Sequence, residues 1–103
     1  MSTTTEIVAA MRQVTTVLTT AGLVEHTPDQ PGFWVYGAGA TPGTVHVTWS
    51  DAGYGDQPPP AGWWGQVQAA LQAAGYTDVT PDRITNGSPV LVVRYAAGQG
   101  GLR

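Results

Sequence analysis

Gln13-Val14-Thr15-Thr16-Val17-Leu18-Thr19-Thr20-Ala21-Gly22 returns 53 positions later as Gln66-Val67-Gln68-Ala69-Ala70-Leu71-Gln72-Ala73-Ala74-Gly75. The likeness continues to Thr27-Pro28-Asp29, which returns as Thr80-Pro81-Asp82. Identities fall at Gln13/Gln66, Val14/Val67, Leu18/Leu71, Ala21/Ala74, Gly22/Gly75, Thr27/Thr80, Pro28/Pro81 and Asp29/Asp82. Ordinary residue frequencies give about one or two matches in such a window.

The shared residues make sense as local structure. Ile7, Met11, Val14, Leu18 and Ala21 lie on one face of a helix. Trp64, Val67, Leu71 and Ala74 repeat the last four of these positions, so Trp64 is read as core and Trp63 as cover for the helix–linker junction. Gly22 and Gly75 stand where each helix should stop, in the left-handed conformation that glycine adopts without strain. The Thr-Pro-Asp triplets read as turns. The spacing predicts helices over residues 5–21 and 61–74.

Each turn leads into a candidate hairpin. Phe33-Trp34-Val35-Tyr36 reads as a strand, followed by a Gly/Ala/Pro loop over 37–43. Thr44-Val45-His46-Val47-Thr48-Trp49-Ser50 alternates with period two, as a strand with unlike faces does. In the second copy Arg83-Ile84-Thr85 enters Asn86-Gly87, a strong hairpin signal, and 88–95 returns. Three prolines, Pro58, Pro59 and Pro60, mark 51–60 as a linker, and the Gly-rich 97–103 as a tail. Units of this size could hardly bury a core alone. The expected fold is therefore one α+β domain over 1–103. It is built from two tandem α-β-β repeats, about 5–50 and 61–96, related by a pseudo-twofold. Together they form a four-stranded antiparallel sheet with two helices on one face.

Composition narrows the function. The chain has 103 residues, 42% hydrophobic and 11% charged, with a formal charge of -3. That balance suits a packed core and opposes disorder. It has no lysine, and Arg12, Arg83, Arg94 and Arg103 are scattered, so no basic footprint exists for nucleic acid or an anionic membrane. Without cysteine there is no disulfide, thiolate nucleophile or Cys-ligated zinc. The start, Met1-Ser2-Thr3-Thr4-Thr5-Glu6, lacks the basic and apolar regions of a secretory signal, and no apolar run reaches membrane-spanning length. A cytoplasmic location is the expectation.

No catalytic or metal constellation emerges, and no cofactor is expected. The 37–43 loop is followed by a strand and has no lysine, so it reads as a hairpin loop and not as a phosphate cradle. His26 and His46 are the only histidines. Neither has partners at metal-ligand spacing. His26 takes the place that Val79 holds in the second copy, which argues for packing. Asp51, Tyr54 and Asp56 make an acidic linker segment that would serve as a recognition loop.

A surface stands out more clearly than a site. Val45, Val47 and Trp49 should face the helices, leaving His46 and Thr48 on the other side of the sheet. If Tyr95 matches Trp49 on the inner side, the outer face carries Trp34, Tyr36, His46, Val90, Val92 and Arg94. An aromatic and aliphatic patch with an arginine has the composition of an interface core. The leading reading is a small acidic, non-enzymatic module that binds a protein partner or a second copy of itself, as an adaptor, immunity-type protein, inhibitor or chaperone does. One alternative is a ligand-binding domain or small enzyme, with an aromatic pocket between the repeats lined by Trp34, Tyr36, His46, Trp49 and Tyr54. Another is a structural subunit of a larger assembly, of the kind phages and mobile elements encode.

Overall fold

The computed structural model describes residues 4–37, 43–51, 58–83 and 87–95. Helix α1 spans Thr4–Thr20 and helix α2 Trp63–Ala73. Strands β1 (Gly32–Gly37), β2 (Thr44–Ser50), β3 (Val79–Arg83) and β4 (Pro89–Arg94) complete the order α1-β1-β2-α2-β3-β4. All strand pairs are antiparallel, in the spatial order β1-β2-β4-β3. The class is α+β, with both helices on one side of the sheet. No helix among the described residues is long and apolar enough to cross a membrane.

α1 is rich in threonine, a poor helix interior residue because its β-branch is stiff and its hydroxyl competes for the backbone. Here the hydroxyls turn back along the helix. Thr15 Oγ1 donates to the Met11 carbonyl at 2.9 Å, Thr16 to Arg12 at 3.0 Å and Thr19 to Thr15 at 3.0 Å. The competition is thus resolved inside the helix, while Ala10, Val14 and Leu18 bury the opposite face. Both helices end alike. Gly22 has φ 91° and Gly75 φ 104°. The Leu23 N–H donates to the Leu18 carbonyl and the Tyr76 N–H to the Leu71 carbonyl, each at 3.0 Å, which satisfies carbonyls the helix end leaves open.

The core forms where the inner faces meet. Phe33 and Val35, Val45 and Val47, Leu91 and Val93, and Val79 pack against Ala10, Val14 and Leu18 of α1 and Trp63, Val67 and Leu71 of α2. Of the two adjacent tryptophans, Trp63 and not Trp64 is the core residue. Trp63, Val67 and Leu71 follow an i, i+4, i+8 line, and the Trp63 ring lies 5.2 Å from Trp49 and 4.8 Å from Trp64. Trp64 is half-buried over it. Ala21 and Ala74 are exposed beyond the last helical turns, so neither joins the apolar stripe expected of it.

The Thr-Pro-Asp triplets differ. Thr27 and Gln30 exchange backbone hydrogen bonds of 3.0 and 3.2 Å around a tight turn. Thr80, Pro81 and Asp82 instead lie within β3, opposite Val92, Leu91 and Val90. The expected turn is an edge strand, and β3 begins earlier than Arg83-Ile84-Thr85. Proline is tolerated there because alternation turns its nitrogen toward the open side of the strand. Ile84, Thr85, Asn86 and the 97–103 tail lie outside the described residues, as does most of the 37–43 loop.

Before β1 the chain doubles back. The Phe33 N–H donates to the Val24 carbonyl and the Phe33 carbonyl accepts from the His26 N–H, both at 2.9 Å. This parallel run beside β1 requires Gly32. A β-carbon at Gly32 would collide with the Val24 carbonyl oxygen and stand 2.6 Å from the His26 nitrogen. Both obstacles are backbone, so Gly32→Ala must displace the run. We expect a loss of about 1–3 kcal/mol, the usual range for overpacking, read by urea unfolding. A change within about 0.5 kcal/mol would contradict the packing.

Burial holds the Tyr76 phenol above its ordinary pKa of 10.0. Its hydroxyl donates to Gln13 Oε1 at 3.3 Å, which ties α1 to the end of α2. Above pH 10 the unfolded chain loses this proton before the folded chain does. The Tyr76 contribution to stability is therefore complete below that pH and falls as pH rises past it. Tyr76→Phe is expected to flatten the alkaline decline of the melting temperature. An unchanged slope from pH 9 to 11 would show that Tyr76 does not carry it.

Candidate functional site

β1 and β2 build the outer face through their register. Trp34 pairs with Thr48 and Tyr36 with His46, while β4 sets Val92 beside His46. Since Phe33, Val35, Val45 and Val47 point to the helices, their neighbours Trp34, Tyr36 and His46 point away. The aromatic rings form a continuous row. His26 lies 5.8 Å from Trp34, Trp34 lies 5.3 Å from Tyr36, and Tyr36 meets His46 edge-on at 5.3 Å. Trp34 is 49% exposed in the middle of the row. Desolvation raises the pKa of the Tyr36 phenol, so that side chain is neutral at physiological pH.

His26 belongs to this row through the doubled-back run at Gly32, not through the core. Val79, its counterpart by sequence offset, is buried among the core residues. The Nδ1 atoms of His26 and His46 are closed off from solvent and make no hydrogen bond. They sit at opposite ends of the row. No group of three or more His, Asp or Glu suited to a metal ion occurs among the described residues.

The remaining expected residues scatter. Val92 is half-buried on the outer face, but Val90 is 2% exposed and offers a partner almost nothing. Alternation gave its side of the sheet and could not give its burial. Arg94 donates from Nε to Asp78 Oδ2 at 3.0 Å, with both side chains about half exposed. Such a surface pair adds little stability. Asp51 is half-buried just past β2, and Tyr54 and Asp56 lie outside the described residues. Trp49 sits on the helix side against Trp63, so the sheet separates it from Trp34, Tyr36 and His46. Those aromatics do not line one pocket. Comparison with protein-family models, with curated proteins and with solved structures finds no match to this chain.

Proposed function

We propose that this protein is a small acidic, non-enzymatic interaction module that binds a partner protein on the outer face of its sheet. The observation that carries the reading is the aromatic row centred on Trp34. Trp34 is half-exposed there between the partly buried rings of His26, Tyr36 and His46, on a sheet whose other face packs against the helices. Tryptophan and tyrosine supply much binding energy at low entropic cost, which makes them frequent interface anchors. Val92 widens the apolar patch, and Thr48, Thr80, Asp82 and the Arg94–Asp78 pair give it a polar rim. The partner would present a complementary apolar surface with a mixed polar border.

The test has two stages. Wild-type protein captures the partner from its native host, and the purified partner is then titrated against Trp34→Ala and Val92→Asp. Loss of affinity in both variants, with folding intact, supports the reading. Wild-type affinity in both would end it.

A further inference from the structure

The two edges of the sheet differ in a way the face does not explain. β3 carries Pro81, Asp82 and Arg83, the residue types that keep a further strand from adding. β1, Gly-Phe-Trp-Val-Tyr-Gly over Gly32–Gly37, has neither proline nor charge. Among the described residues its outer edge is occupied only at its start, where Phe33 bonds to Val24 and His26. Backbone groups along a strand point to alternate sides. Val35 and Gly37 therefore turn their N–H and C=O groups the same way as Phe33, away from β2. No described residue bonds to them there.

A second observation falls in the same place. The exposed large hydrophobic residues among the described residues are Val8 at 43%, Val24 at 53% and Trp34 at 49%. All three flank this edge. Trp34 is in β1, and Val24 accepts the Phe33 hydrogen bond. Val8 lies about 140° around α1 from Gln13 by helical geometry. Gln13 reaches Tyr76 at the end of α2, so Val8 projects on the flank away from α2. Its neighbour Ile7 stands over the end of β1, 3.1 Å from where a β-carbon on Gly37 would be.

We propose that the free edge of β1 pairs antiparallel with β1 of a second copy, across a twofold axis at Tyr36. Val35 then faces the partner's Gly37. Each N–H donates to the opposite carbonyl, and the axis repeats the exchange. The open groups, two residues apart on one strand, are what an antiparallel copy of that strand presents in return. Val8 and Val24 lie on the flank where the second copy joins, and no like charges meet between the paired strands. This inference is independent of partner binding on the outer face.

Sedimentation equilibrium and amide hydrogen exchange on the full chain, both across a concentration series, test it. The mass is expected to rise from 10.7 kDa toward twice that value. The Val35 and Gly37 amides should slow by roughly tenfold or more as the mass rises. The Phe33 amide, already bonded, should change far less. Val8→Lys is expected to move dimerisation to about tenfold higher concentration with the melting temperature unchanged, because Val8 is exposed and off the outer face. A chain that stays monomeric at millimolar concentration overturns the proposal. So does a dimer whose Val35 and Gly37 amides still exchange at the monomer rate, or a Val8→Lys variant that dimerises like wild type.

Discussion

Leu18→Ala and Leu71→Ala are each expected to cost about 2–5 kcal/mol, the range for truncating a buried leucine. Each side chain is fully buried in the shared core. Each sits at the last turn of its helix, where its carbonyl accepts the N–H beyond the glycine. Truncation therefore opens a cavity in the core that Leu23 and Tyr76 share, beside the point where the chain leaves the helix. A domain of this size has only about 5–15 kcal/mol of stability, so either variant alone should lower the urea midpoint substantially. The comparison is the sharper test. Both helices supply one core, so the two losses should agree within about 1–2 kcal/mol. A loss under about 0.5 kcal/mol at either site would place that leucine at the surface and break the assignment of the helix faces.

Trp34→Ala should abolish most partner binding while leaving the fold nearly intact. A buried interface tryptophan is commonly worth about 2 kcal/mol or more, at least roughly thirtyfold in affinity. In the free chain Trp34 touches His26 and Tyr36 and is otherwise half in water, so its removal should reduce stability by only about 1 kcal/mol. Binding and stability thus respond in opposite proportion to the leucine variants. Isothermal titration against the captured partner, with thermal unfolding of the same samples, separates the two. Affinity within twofold of wild type in a folded Trp34→Ala protein would show that the aromatic row is not the contact.

Local chemistry made some elements legible from the residues. Gly22 and Gly75 follow apolar helical stripes, and a glycine there has one common meaning. β2 alternates cleanly because Val45, Val47 and Trp49 all turn to the helices, the two valines fully buried. The sequence misleads where neighbours far along the chain decide. Thr80-Pro81-Asp82 reads as a turn in isolation, and only its place at the sheet edge makes it a strand. Trp63 and Trp64 both fit a helical spacing to Val67, and the choice falls to Trp49 across the core. His26 looked like a core position because Val79 is one. Its place on the outer face depends on a return of the chain that the missing β-carbon of Gly32 permits, and nothing in the residues around His26 signals it.

Pro81 has a consequence for how far such a sheet can grow. At the β3 edge it withholds a donor, and Asp82 and Arg83 beside it bring charges that an incoming strand would have to desolvate. A sheet that can lengthen from only one side cannot propagate. In the proposed β1 pairing each molecule ends the sheet at its own β3, so a closed pair is the expected limit of edge-to-edge growth. A chain with so few charged residues has little electrostatic repulsion to keep it dispersed. Pro81, with Asp82 and Arg83 beside it, thus guards against edge-to-edge growth in a chain whose overall charge gives little such protection.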